Sequence, residues 1–289
     1  MTIGFIGAGK VGFSLGKYFT DRQITVTGYY SSNPTSAREA AEFTDTRCYI
    51  QLGDLVRDSE VIFITTPDGA IAHVWEELKS LQISDRVICH CSGVLSSDIF
   101  SDITDYRCSG YSIHPLLAVH DKLHSYREFS NALFTIEGNG NYVTVFRSLL
   151  EHCGNQVLSL QAEDKIRYHA AAVLASNLVL GLVETAADEL TRCGFPRDTA
   201  LHALAPFVSA NASHLLTESL EHSLTGPVER ADLLTVQKHL DKLSGDDREI
   251  YRLLSKKTLD IARRKNTTRD YSDLESLLAH ADSIQGKGE

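Results

Sequence analysis

Three side chains able to carry a proton stand out against their surroundings. His114 closes an apolar run just ahead of Pro115, and Lys165 and His169 open a long stretch rich in alanine and leucine. A histidine needs little perturbation to act as acid or base near neutral pH. On helical spacing Lys165, His169 and Ser176 share a face and Asn177 flanks it. Polar groups among apolar neighbours cost free energy unless a partner or ligand satisfies them. The pattern makes His169 the first candidate for proton transfer, with Lys165 or His114 in its place and Asn177 as an orienting group. The plain alternative leaves Lys165 exposed, His169 and Asn177 satisfied in the core, and His114 tied to backbone.

Two further positions bear on a small ligand. Ser92 follows the run Val87 to Cys91 and either touches a ligand or caps the turn that Gly93 begins. Arg230 lies in the first turn after Thr225, Gly226 and Pro227. There it can hold a carboxylate or phosphate through two parallel hydrogen bonds, or pair locally with Glu229 or Asp232.

These residues need a scaffold, and its clearest piece is IGFIGAGKVG at residues 3–12. An apolar strand pattern stops at Gly7, and Gly7, Gly9 and Gly12 form G-x-G-x-x-G ahead of a helix read as Lys10 to Arg22. The first glycine makes the turn, the second admits a pyrophosphate, and the third lets helix and strand pack closely. Gly7, Ala8, Gly9, Lys10, Val11 and Gly12 are therefore expected to cradle a dinucleotide at the helix's positive end. Beyond the second strand, where an NAD site presents an acid to the ribose, stand Ser31, Ser32 and Asn33 instead. With Arg38 nearby as a charge partner for a 2′-phosphate, NADP is expected ahead of NAD. The same Ser-Ser-Asn-Pro can also be the loop and cap of the next helix. Thr66 and Pro67 end the run VIFI, at the strand edge where ligands of open α/β sheets lie. Asp68 reads as the cap of a helix over Ala70 to Leu81.

Around these motifs, strands are expected near Ile3–Ile6, Ile24–Tyr29, Cys48–Ile50, Val61–Thr65, Val87–Cys91, Tyr111–His114, Leu133–Glu137 and Val157–Leu160. Alternation with helical patterns implies an α/β class, a mostly parallel sheet over residues 1–160. Residues 161–289 read as an all-helical domain for substrate and dimerisation. It begins with one helix from Gln161 to Cys193, buried in its apolar middle and partly by a second subunit. Helices at Pro196–Ser223, with Pro206 as a restart or kink, Val228–Leu243, Asp246–Arg264 and Ser272–Ala281 follow, and SIQGKGE at the end is expected to fray.

The chain has 289 residues and a formal charge of −10, with no basic run able to track a phosphate backbone, which argues against nucleic acid. No apolar stretch reads as long enough to span a bilayer, and no basic leader precedes Ile3, so a cytoplasmic protein without a membrane partner is expected. Six scattered cysteines fit reduced thiols. Cys89, His90 and Cys91 alternate across a strand and cannot readily share one ion, so no metal is expected.

Taken together, GFIGAGKVG, the SG of HCSGVL, the HP of SIHPLL, YHAAAVLASN and LTGPVERAD resemble a family of Rossmann-type oxidoreductases. Its members join an NADP-binding domain to an all-helical domain of unknown function. The family is similar to pyrroline-5-carboxylate reductases, prephenate dehydrogenases and β-hydroxyacid dehydrogenases, which share a helical dimerising domain. The resemblance implies that His114 matches the histidine that binds the hydroxyl in prephenate dehydrogenases. Lys165 matches a lysine of the β-hydroxyacid enzymes, although their asparagine four residues on is His169 here. The family's Arg-Gly-Asp after TGP has Ala231 for its glycine, a change expected to matter little in a helix. The implied function is NADP-dependent hydride transfer to or from a small carbonyl, imine or hydroxyl substrate bearing a carboxylate. A non-catalytic NADP-binding sensor or scaffold and a pyrroline-5-carboxylate-type imine reductase stand as alternatives.

Overall fold

A computed structural model describes residues 1–138 and 140–279. It divides into two compact units, Met1–Leu178 and Val179 onward.

The first unit runs β1 (Ile3–Ile6), α1 (Lys10–Thr20), β2 (Val26–Tyr30), α2 (Pro34–Thr44), β3 (Arg47–Cys48), α3 (Leu52–Asp58), β4 (Val61–Ile64), α4 (Asp68–Ser80), β5 (Val87–His90), β6 (Ser109–Leu116), β7 (Leu133–Glu137), α5 (Tyr142–His152), β8 (Gln156–Ser159) and α6 (Lys165–Ala175). One sheet holds all eight strands in the order β3-β2-β1-β4-β5-β6-β7-β8. Every neighbouring pair is parallel except β6 and β7. The order reverses between β1 and β4, the crevice where such sheets bind ligands.

Every residue of β1, β4 and β5 is buried, as strands covered on both faces require. Side chains alternate across the sheet, so Phe5 and Phe63 join Phe13, Phe19 and Phe146 on one face. Ile6, Ile62 and Ile64 join Trp75 and Leu78 on the other. The helices α3 and α5 lie outside the elements read from the sequence. The first is only seven residues long, too short for its periodicity to register.

The expected single helix over Gln161–Cys193 is interrupted. It resolves into a short turn at Ala162–Asp164, α6, and α7 (Asn177–Arg192). Ser176 leaves helical geometry at φ −124° and ψ −87°, and its Oγ donates to Ala172 O at 2.7 Å. Serine and asparagine compete with the backbone for hydrogen bonds, which explains a break at this pair. The expectation that the stretch is buried fails within one chain: Lys165 is the one buried residue of α6 and Ala187 that of α7. The first unit extends to Leu178, beyond the expected boundary at residue 160, because α6 is anchored to the sheet.

The second unit continues with α8 (Arg197–Thr217), α9 (Leu220–Ser223), α10 (Leu233–Lys242), α11 (Gly245–Lys265) and α12 (Ser272–Ala279). A small core of Val236, Leu240, Leu259, Ala262, Tyr271, Leu274 and Leu278 joins α10, α11 and α12. Pro206 sits inside α8 without ending it. The helix expected from Val228 begins only at Leu233, where the Asp232 carboxylate accepts from Thr235 N. Ala231 precedes it in a turn at φ +57°. The expected fraying of SIQGKGE falls outside the described residues. By length and mean hydropathy alone, 1.6, the run Ala162–Arg192 reaches the range of a membrane crossing, although it is broken at Ser176. Its many alanines and leucines raise the average without forming an uninterrupted apolar block.

Candidate functional site

The turn from β1 into α1 is built around space. Gly7 adopts φ +100°, and a Cβ there would lie 2.9 Å from the Thr65 carbonyl carbon. A Cβ on Gly12 would strike the Thr65 hydroxyl and come within 2.6 Å of Gly7 O. Glycine at both positions lets α1 approach the strands closely. A Cβ on Gly9, by contrast, would meet nothing within 4 Å. No side chain caps α1 at Gly9 and its first turn holds no acid. Unpaired N–H groups of α1, including those of Lys10 and Val11, therefore sit at an uncapped positive end. Beside them the Thr66 Oγ1 is buried without a hydrogen-bond partner, and Pro67 precedes α4. These features fit a dinucleotide pyrophosphate.

Past β2, Asn33 Oδ1 caps α2 by accepting from Thr35 N at 3.1 Å, and Ser31 Oγ accepts from Asn33 N at 3.2 Å. Ser32 and Arg38 are exposed. The loop is thus a helix cap and a polar edge at once.

A second group forms where β5 ends and β6 continues past it. His114 Nδ1 lies 2.8 Å from Tyr168 Oη, with the two rings perpendicular. Burial pushes the His114 imidazole down to about 3, and the charges of Lys165, His169 and His90 act in the same direction. His169 Nδ1 is buried with no partner. Both histidines converge on Gly93, where a Cβ would lie 2.6 Å from His169 Nδ1 and 2.9 Å from His114 Nε2. The ring centroids are 6.5 Å apart. A cleft of about 440 Å³ opens beside them, lined by His114, Leu117, Tyr168, His169, Ser176 and Asn177 among others. Asn177 is exposed and accepts from Ser176 Oγ at 3.1 Å.

Three of the side chains singled out from sequence are engaged within the fold. Lys165 is neither exposed nor on the cleft: it is 1% exposed, and its Nζ donates to Ser92 O at 2.8 Å and to the Ser112 hydroxyl. Burial lowers its ammonium to about 8. It ties α6 to the loop after β5 and to the middle of β6. Ser92 Oγ accepts from Val94 N and Leu95 N and donates to Asp68 Oδ2 at 2.9 Å, so it caps its own turn. Asp68 is the first residue of α4, not its cap, and holds that serine. His90 is also engaged at both nitrogens, accepting from Ser92 N and donating to Ser96 O, and burial pushes it down to about 4. Arg230 is exposed in the second unit, where its charge adds to Thr235 hydrogen bonds in holding the Asp232 carboxyl low.

Sequence reasoning placed Gly93 at this edge without giving it a role, and it missed Tyr168. The second had a signal: it lies one helical turn past Lys165 and adjoins His169.

Residues 1–115 match the model of a Rossmann-like domain. Residues 132–258 match a family described as a domain of unknown function, DUF2520. These two matches are the pairing that the sequence resemblance implied. Among solved structures, a Thermotoga maritima protein is 26% identical, with 91% of this chain and 99% of that one covered and a TM-score of 0.73. A Bacteroides fragilis protein provisionally described as an NADP oxidoreductase is 20% identical, covering 90% and 98%, with a TM-score of 0.64. Plasmodium falciparum pyrroline carboxylate reductase with NADP bound is 12% identical, covering 91% and 98%, with a TM-score of 0.58. No curated protein matches the sequence.

Proposed function

We propose that the protein is an NADP-dependent oxidoreductase that transfers a hydride to or from a small carbonyl, imine or hydroxyl substrate. The observation that carries this reading is that one sheet edge bears both an open glycine cradle at an uncapped helix and two histidines meeting at a glycine. Gly7 to Gly12 and the Thr66 loop would hold the pyrophosphate, and Ser31, Ser32 and Arg38 the 2′-phosphate. Among the described residues Arg38 pairs with no carboxylate, which favours the phosphorylated cofactor. The nicotinamide, when bound, supplies the hydride chemistry. His114 and His169 orient the substrate and hold the proton at Nε2 or Nδ1. Among the described residues the cleft beside them carries no lysine or arginine in its lining, so it offers a substrate carboxylate no cationic partner. The Bacteroides and Plasmodium proteins support the cofactor by analogy of fold.

The test is calorimetric titration of the protein and its Gly9→Val variant with NADPH and NADH. Gly9 has extended backbone, φ −75° and ψ −174°, and its Cβ direction is open, so valine keeps the fold and fills the pyrophosphate space. The expected result is NADPH binding that the variant loses with little change in melting temperature. Absence of binding by either nucleotide to the wild type would sink the reading. Tight binding with no turnover across carbonyl and imine panels would make the protein a sensor.

The same proposal includes a homodimer through the helical domain. Only Ala200 is buried in the 21 residues of α8, while Phe207 is 71% and Leu216 88% exposed. A helix this apolar is unstable in water without a partner face. Sedimentation should give a dimer that Phe207→Asp weakens; a monomeric wild type would refute it.

A further inference from the structure

Of the two candidate histidines, His114 alone has a ring nitrogen held by another side chain, and that bond decides what the other nitrogen can do. If the Tyr168 hydroxyl donates to Nδ1, a neutral ring carries its proton on Nε2 and faces Gly93 as a donor. If Nδ1 donates instead, Nε2 is a bare lone pair and a base.

The surroundings favour the first arrangement. Thr135 pairs directly opposite His114 in the antiparallel register of β6 and β7 and is buried. Burial raises the Tyr168 phenol, and the neighbouring Thr135 side chain offsets part of that. Among the described residues the one hydrogen bond of the Tyr168 hydroxyl is to His114 Nδ1, so its single proton is left for that nitrogen. Among the described residues no carboxylate bonds this nitrogen to stabilise an imidazolium, and Lys165, His169 and His90 on the adjoining elements oppose one.

We propose that Tyr168 is a positioning residue that fixes His114 as the Nε2–H tautomer, so that the site is built to polarise a carbonyl or imine for reduction. The directional part rests on the oxidoreductase function proposed above. A reduced nicotinamide, when bound, would supply the hydride to carbon, and the His114 Nε2–H would hydrogen-bond the oxygen or nitrogen that takes up the π pair. The proton completing the product comes from solvent, so His114 ends as it began.

Nitrogen-15 NMR of the full chain labelled at histidine tests the assignment, with His114 identified by the resonances that His114→Gln removes. Near neutral pH the wild type should show Nε2 protonated and Nδ1 bare. Tyr168→Phe should move the tautomer ratio about three- to tenfold toward Nδ1–H, the range that one neutral hydrogen bond supports. A wild-type ring protonated at Nδ1, or a ratio that Tyr168→Phe leaves unchanged, would overturn the proposal. Should the variant not fold, the wild-type spectrum still decides. The spectra need neither cofactor nor turnover. The expected tautomer without NADPH binding would remove the function and keep the assignment; NADPH binding with the opposite tautomer would remove the assignment alone.

Discussion

Replacing Gly93 with alanine tests whether His114 and His169 act on one ligand. Gly93 is not among the positive-φ residues, so alanine can follow the same backbone. Its methyl group would lie 2.6 Å from His169 Nδ1, 2.9 Å from His114 Nε2 and 3.2 Å from His114 Cε1, where ordinary contact begins at 3.4 Å. The rings must therefore retreat by roughly 0.8 Å and 0.5 Å. His114 is held by Tyr168, whereas His169 Nδ1 has no partner, so His169 gives way first. Displacement by about 1 Å costs on the order of 10² in rate, and full loss of an acid–base group about 10² to 10⁴. Turnover, followed as NADPH oxidation, should fall at least about 10²-fold. NADPH affinity by calorimetry should hold, because the pyrophosphate loop is untouched. Overpacking should cost about 1–3 kcal/mol of stability, read by urea melts. A folded Gly93→Ala protein with wild-type turnover and unmoved histidine resonances would refute the idea that the two rings need their places.

Acid should destabilise the fold early. His114 at about 3 and His90 at about 4 lie below their ordinary 6.5, so the unfolded chain binds protons the folded one refuses. Their stabilisation is complete above about pH 6.5 and drains as pH falls toward the folded values, by about 1.4 kcal/mol per unit for each histidine. Urea melts between about pH 7 and 5 should show that slope, and His114→Gln should remove about half of it; an unchanged slope counts against the burial argument. Arg38→Ser should weaken NADPH roughly ten- to a hundredfold, the value of a charge-assisted hydrogen bond, and leave NADH alone. Equal effects on both nucleotides would exclude a 2′-phosphate partner. At Ala231, held at φ +57°, a non-glycine residue costs roughly 1–2 kcal/mol and glycine returns about 0.5–1 through chain entropy. Ala231→Gly should stabilise by about 0.5–1 kcal/mol, and a lower melting temperature would show the turn is unstrained.

The expectation for Ala231 illustrates where local reading stops. A helix was expected to run through it, but the Asp232 cap starts α10 later and leaves Ala231 in the turn. Ser176 is the converse case: its break was written in a Ser-Asn pair but hidden by the alanine-rich periodicity on either side. The strands Ile3–Ile6 and Leu133–Glu137 and the turn at Gly7 to Gly12 were legible from sequence alone. In each, sterics between near neighbours and the abrupt end of an apolar run determine the backbone. His114 and His169 were likewise recognisable as unusual residues, but not as a pair. Their meeting at Gly93, the capping of Ser92 and the burial of Lys165 depend on the register of β6 beside β5 and on α6 anchored to both. Those are contacts between distant segments, so only the tertiary structure decided which polar groups face the cleft and which hold the fold together.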